Sequence, residues 1–245
     1  MMQAVYEKTT AFNDLVTGYC PGCGHGIVQR MIGECMDELG ISDRLIGVLG
    51  VGCSSPSWRF MTYDMLSVPH GRPGAAASGL KKCHPNKIVY TYQGDGDSGS
   101  IGFSETMYPA IRGDNITSII VNNTVYAMTG GQMAPTTLSG QVTTTSPLGR
   151  DVAATGQPLH IAELAASLPG SRYVARVSLH DTAHIRKAKQ AVKKAFENQM
   201  NGVGYSLVEI LSPCPSVWRL KPVDCMERIK NEVMQEFPLG TFKGA

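Results

Sequence analysis

The stretch Lys87-Ile88-Val89-Tyr90-Thr91-Tyr92-Gln93, running into Gly94-Asp95-Gly96-Asp97-Ser98-Gly99, decides the fold. Its first half is β-branched and aromatic and reads as a strand; its second half is a glycine-rich stop. Ile101 to Ile111 can turn as a helix. Ile116-Thr117-Ser118-Ile119-Ile120-Val121 is a second, largely apolar strand suited to burial on both faces of a parallel sheet, and Asn122-Asn123 stands where it runs out. The result is a β-α-β unit with an acid after one strand and a carboxamide after the next. In open parallel sheets ligands bind at the carboxyl ends of the strands, where these two side chains would meet. The expected fold class is α/β, a mostly parallel sheet with helices on both faces.

A carboxylate and an amide oxygen are hard donors that suit Mg2+, a cation usually shared with substrate phosphates. The glycines let backbone N–H groups approach a diphosphate, helped by the N-terminus of the following helix. A glycine-rich turn with two strand-end caps is the plain structural alternative. Gly-Asp-Gly, a gap spanning positions 97 to 121, and Asn-Asn resemble the diphosphate motif of thiamine diphosphate enzymes. The resemblance implies a thiamine diphosphate-binding fold of the diphosphate-binding type. It also implies Asp95, Asn123 and the backbone carbonyl of Val125 as Mg2+ ligands.

The 245 residues suffice for one large domain, and the reading takes 1–245 as a single one with an N-terminal CxxC segment and a C-terminal tail. A net charge of +2 gives no electrostatic case for nucleic acid or a membrane surface. No apolar run approaches the ~18 residues of a membrane span, and the N-terminus lacks a signal-peptide pattern, so the expected location is the cytoplasm. Seven cysteines in a reducing compartment point to metal ligands or free core thiols before disulfides.

Residues 1 to 18 read as an extended lead-in. Cys20-Pro21-Gly22-Cys23 is a turn that puts two sulfurs on one side, and a helix over 27–39 ends at Gly40. Leu45 to Val51 is a buried strand followed by Gly52-Cys53-Ser54-Ser55; 56–69 is irregular; His70 to Gly74 is a loop and 75–81 a short helix. Residues 133 to 157 form a long, functional-looking loop. A helix over 160–168, a strand over 173–179, a helix over 183–199 capped by Asp181 or Thr182, and a last strand over 205–211 follow, with Ser212-Pro213-Cys214-Pro215 after it. The tail from Val223 reads as partly helical.

Cys53 and Cys214 each follow a strand, as Asp95 and Asn123 do. Parallel strands put all four on one rim, over which the Cys20–Cys23 turn can fold. Four thiolates suit a 4Fe–4S cluster and equally suit tetrahedral zinc, and the spacing does not decide between them. The neighbour does: thiamine chemistry yields a strong reductant, for which a cluster is a one-electron acceptor and zinc is not. Buried, unliganded thiols are the plain alternative for Cys53 and Cys214. Cys35 falls on the apolar face of a helix; Cys83 and Cys225 lie in polar stretches without evident partners.

Together these motifs resemble the thiamine-binding β subunit of the 2-oxoacid:ferredoxin oxidoreductases. The matching segments are Cys20-Pro21-Gly22-Cys23-Gly24-His25, Gly52-Cys53-Ser54-Ser55, His70-Gly71-Arg72, Gly94-Asp95-Gly96-Asp97, Val125-Tyr126 through Thr129-Gly130-Gly131-Gln132, and Ser212-Pro213-Cys214-Pro215, over roughly residues 15–220. With no second cysteine-rich segment and no pyrimidine-binding half, the chain resembles one subunit of the split form. The resemblance implies oxidative decarboxylation of a 2-oxoacid, with coenzyme A taking the acyl group and ferredoxin the electrons. It further implies an α subunit supplying the pyrimidine-binding half, and further small subunits. Cys20, Cys23, Cys53 and Cys214 would hold iron, and Gly94, Gly96, Asp97 and Thr129 would lie near the diphosphate. His70 and Arg72 are catalytic candidates on the substrate or diphosphate side, an arginine being able to fork onto a carboxylate or phosphate. His25, Cys53 and Ser54 are candidates for contact with cofactor or cluster. The substrates in view are 2-oxoisovalerate-like branched acids and 2-oxoglutarate. Two rival readings are a non-redox thiamine diphosphate-dependent decarboxylase subunit with structural zinc, and a zinc-stabilised binding module for some other phosphate.

Overall fold

The computed structural model describes residues 7–244; the start of the expected lead-in and Ala245 lie outside them. In chain order the strands are β1 (Leu45–Leu49), β2 (Asp64–Ser67), β3 (Ile88–Gly94), β4 (Thr117–Asn122), β5 (Val125–Tyr126), β6 (Gln132–Met133), β7 (Ser171–Ser178), β8 (Tyr205–Leu211) and β9 (Gly240–Lys243). The helices are α1 (Gly24–Leu39), α2 (Pro73–Cys83), α3 (Phe103–Arg112), α4 (Val152–Thr155), α5 (Ile161–Ser167), α6 (Thr182–Met200), α7 (Pro215–Trp218), α8 (Pro222–Arg228) and α9 (Met234–Glu236).

Seven strands make one sheet in the order β2-β1-β3-β4-β8-β7-β9, parallel throughout except for β9, which runs antiparallel to β7. The central strands alternate between two cores. Ile119 and Val121 of β4 pack with Tyr90, Tyr92, Val208 and Ile210 beneath α1 and α6, whereas Ile120 packs with Val48, Val89 and Leu207 beneath α2, α3 and α5. Every residue of β4 and β8 is buried, as strands sandwiched between helical layers must be. A third cluster, with Leu138, Leu211, Trp218, Ile229 and Phe237, packs the C-terminal helices against the end of β8.

Several elements depart from the sequence reading. The segment 56–69 contains a 3-10 turn and β2, an edge strand whose residues are mostly exposed and so carry no apolar alternation. The helix expected from Ile101 begins at Phe103, because Asp97–Ile101 winds as a wider, π-type turn. β8 is not the last strand: β9 returns to cover the open side of β7. Cys225 is fully buried in the third cluster rather than in polar surroundings.

Candidate cofactor and cluster site

β1, β3, β4 and β8 are consecutive neighbours in the sheet and all parallel, so their carboxyl ends form one continuous rim. Past those ends stand Cys53, Asp95, Asn123 and Cys214, in that order across the sheet. A cleft opens along the rim, walled by Gly52-Cys53, His70, Gly94 to Asp97, Asn123 and Val125 to Thr129, with His25 at its base.

The Cys20–Cys23 turn is fastened to this rim from two sides. The Cys23 N–H donates to the Cys20 carbonyl at 3.0 Å, closing a tight turn in which Gly22 takes φ +77°. Gly24 N–H donates to the Pro213 carbonyl at 3.3 Å, beside Cys214, and a Cβ on Gly24 would stand 2.1 Å from Ser212 Oγ. The contact therefore requires glycine. The four thiols are near enough that Cys20, Cys23 and Cys53 all act on Cys214. Burial, before this mutual repulsion, pushes Cys53 up to about 11 and Cys214 up to about 12, and raises Cys23. As thiolates they need cationic compensation. Four such thiols suit a 4Fe–4S cluster and tetrahedral zinc alike. The hydroxyls of Ser54 and Ser212, beside the cysteines in sequence, are buried without a hydrogen-bond partner. Such donors suit the sulfur ligands of a metal centre, whether cluster or zinc. Ser55 instead closes its own turn, exchanging hydrogen bonds with Gly52.

Asp95 is 2% exposed, and burial pushes its carboxyl up to about 7. Thr136 donates its hydroxyl to one carboxylate oxygen, Oδ2. Backbone N–H groups of Asp95 and Gly96 also bear on this carboxylate, which, buried at the rim, suits a divalent cation. Asn123 Oδ1 accepts from Val125 N–H at 3.3 Å, and Trp218 Nε1 donates to the Asn123 carbonyl at 3.1 Å, holding the pair in place. Between Asn123 and Val125, Thr124 takes φ +64°, a conformation that costs a non-glycine residue energy and clusters at functional sites. A Cβ on Gly94 would meet nothing within 4 Å, so the end of β3 leaves open space in the cleft; Gly96, by contrast, lies under the ring of Tyr126, whose hydroxyl donates to the Gly96 carbonyl at 3.0 Å. These features fit a metal-bound diphosphate.

Asp97 lines the cleft and also fixes one of its walls. Its carboxylate accepts from Gly71 N–H at 2.8 Å and from Gln93 Nε2 at 2.7 Å, and pairs closely with His70 Nδ1. Both oxygens are spent on hanging the His70 loop from the end of β3. His70 thereby presents its ring to the cleft, in edge contact with Tyr126. Arg72 does not reach the cleft; its guanidinium pairs with Glu105 on α3. Thr129 lies at the cleft mouth, tied to Gln132 at 2.6 Å. His25 is buried, with Nδ1 2.5 Å from the Tyr92 hydroxyl; burial lowers its pKa to about 4, so it is neutral.

Sequence reasoning missed the polar support beneath the rim. Arg176 of β7 donates to Glu209 of β8 at 2.9 Å, and Asn122 of β4 donates to the same carboxylate at 2.8 Å while accepting from Thr124 N–H at 3.1 Å. Charged residues in strands read as outward-facing until tertiary neighbours are known.

The family profile described as "Thiamine pyrophosphate enzyme, C-terminal TPP binding domain" matches residues 50–210. The chain is 34% identical over 229 residues to the 2-oxoglutarate synthase subunit KorB of Archaeoglobus fulgidus, covering 94% of this chain and 81% of that one. It belongs to the thiamine diphosphate-binding subunits of the 2-oxoacid:ferredoxin oxidoreductases. Within that family it is 45% identical over 239 residues to the ketoisovalerate oxidoreductase subunit VorA of Methanothermobacter thermautotrophicus, which covers 98% of this chain. This chain spans 50% of that relative's length. A solved 2-oxoglutarate:ferredoxin oxidoreductase from Magnetococcus marinus, with 2-oxoglutarate, coenzyme A and succinyl-CoA bound, shares the fold with a TM-score of 0.78 at 25% identity, over 98% of this chain and 86% of that one. Among the described residues no helix is long and apolar enough to cross a membrane.

Proposed function

We propose that this chain, acting as one domain, is the thiamine diphosphate- and 4Fe–4S-binding subunit of an enzyme that oxidatively decarboxylates a 2-oxoacid to acyl-CoA and CO2, passing electrons to ferredoxin. The observation that carries the proposal is the single rim on which two oxygen donors stand between Cys53 and Cys214, with the Cys20–Cys23 turn fastened beside Cys214. Asp95, Asn123 and the Val125 carbonyl hold Mg2+, with Gly94, Gly96, Asp97 and Thr129 around the diphosphate. Cys20, Cys23, Cys53 and Cys214 hold the cluster, with the Ser54 and Ser212 hydroxyls available to it. Bound thiamine diphosphate supplies the carbanion-stabilising chemistry of decarboxylation; the protein positions it and sets its electrostatics. His70, held by Asp97, is the imidazole nearest the reacting side, and neutral His25 lies at the floor of the cleft. Arg72, half-exposed and paired with Glu105, fits a place at the surface where a partner subunit's ligand arrives. Coenzyme A, ferredoxin and an α subunit completing the cofactor site are the partners, in the cytoplasm. Similarity to the ketoisovalerate oxidoreductase subunit favours a 2-oxoisovalerate-like substrate over 2-oxoglutarate.

The test is metal content after anaerobic purification. About four irons per chain are expected, with iron lost and the fold kept in Cys214→Ser. Zinc without iron would reject the electron-transfer reading in favour of a non-redox decarboxylase subunit. A substrate panel on the complex assembled with its partner subunits then ranks the 2-oxoacids.

A further inference from the structure

Past the end of β7 the chain passes through Leu179 to His180 and Asp181, and Asp181 caps α6 by accepting from His184 N–H at 2.7 Å. One turn into the helix, the His184 imidazole comes back on the cap: its Nδ1 lies 2.8 Å from Asp181 Oδ1, while His180 Nε2 lies 3.2 Å from Oδ2. The two rings approach to 4.1 Å between centroids. Two imidazole nitrogens and a carboxylate oxygen thus gather within 4.8 Å of one another, outside the cofactor cleft.

A capping carboxylate needs one donor, not two imidazoles. Of the two rings, His180 is held by a second, fixed contact. The other nitrogen of that ring, Nδ1, is 2.6 Å from the hydroxyl of Ser178, a fully buried residue of β7. With Ser178 accepting from Nδ1–H, Nε2 is left with a lone pair for a cation bound beside the carboxylate. Histidines that ligate metals are held in this way, their second nitrogen bonded to a fixed group that sets tautomer and ring angle.

The geometry points to a binding site for a divalent transition metal of the Zn2+ class, ligated by His180 Nε2, the Asp181 carboxylate and His184 Nδ1. Two imidazoles with one carboxylate favour Zn2+, Ni2+ or Co2+ over Mg2+ or Ca2+, which take all-oxygen shells. Side-chain exposures of 46% at Asp181 and 26% at His184 leave the remaining positions open to water. From α8 and the turn after it, Glu227 and Lys230 also act on His180, with opposite signs. A bound ion would lock the start of α6 to the end of β7, on the same side of the sheet as the cysteines.

The test uses protein already loaded with its iron–sulfur cluster and Mg2+–thiamine diphosphate, so that the cysteines are occupied, titrated anaerobically with Zn2+. One additional zinc per chain is expected. His180→Ala and His184→Ala should each weaken it at least ~10-fold, the scale on which even supporting groups act. Asp181→Asn should do the same while keeping a good helix cap, so that unchanged melting separates ligand loss from misfolding. Co2+ in place of zinc should give weak visible bands without thiolate charge transfer. No added zinc, equal affinity in all three variants, or a cobalt spectrum of thiolate type would each overturn the assignment.

Discussion

Asp95 shows how a single side chain can be costly to the fold while standing where the proposed metal ligand is needed. Its carboxyl titrates near 7 in the cofactor-free protein because burial penalises the charged form. The unfolded chain releases that proton near the ordinary carboxylate value, so between about pH 4 and 7 the folded state holds a proton the unfolded state has lost. Stability therefore falls as pH rises through this window and levels off above it. At about 1.4 kcal/mol per pH unit, the loss is up to ~4 kcal/mol. Asp95→Asn keeps a polar group for Thr136 and removes the charge. The variant should melt higher than the parent at pH 8 when cofactor-free, with the gap closing toward pH 4. Adding Mg2+ and thiamine diphosphate should stabilise the parent and leave the variant unmoved. A variant that melts at or below the parent at pH 8 would refute the account of Asp95 as an uncompensated charge.

Among the elements, the CxxC turn joins sequence and site by sterics. Gly22 sits at φ +77°, and a Cβ there would come within 2.5 Å of Pro222 at the start of α8. Gly22→Ala pays about 1–2 kcal/mol for its backbone conformation alone, and the turn must also move off Pro222. The expected result is lower iron content with an unchanged far-UV circular dichroism spectrum; full iron retention would show that the turn adapts. Such a turn is legible in sequence because Pro-Gly between two cysteines has few conformations open to it. The buried strands β3, β4 and β8 were legible for a related reason: burial on both faces demands continuous apolar character. β2 and β9 were not. Asp64–Ser67 is an exposed edge, and Gly240–Lys243 becomes a strand because β7 offers it a partner. Cys53, Asp95, Asn123 and Cys214 could be placed on one rim from their positions after strands. That Arg72 turns to Glu105, or that Asp97 turns to His70, depends on which loops meet, and nothing local encodes it.

Across the whole molecule, one polar chain runs from the C-terminal tail to the rim. The Arg176 guanidinium lies against the rings of Phe237 and Phe242, donates to the Pro238 carbonyl at 3.1 Å, pairs with Glu163 on α5, and donates to Glu209, itself fully buried. Glu209 then accepts from Asn122, which in turn accepts from the strained Thr124 between the two proposed metal ligands Asn123 and Val125. Burial opposes the charge on Arg176, but Glu209 and Glu163 more than restore it. Buried ion pairs of this kind contribute little net stability as pairs, and much is lost when one partner is left alone. Arg176→Met should therefore destabilise the protein by about 3–5 kcal/mol, because it strands a desolvated carboxylate. The double variant Arg176→Met with Glu209→Met removes both charges and should recover a large part of that loss. The two sites are in contact, so the coupling energy in a double-mutant cycle should be large, on the order of 1–3 kcal/mol. Urea unfolding of the four proteins measures it. Additive effects would mean that Arg176 acts through its stacking on the tail alone, and the link from the tail to Thr124 would be absent.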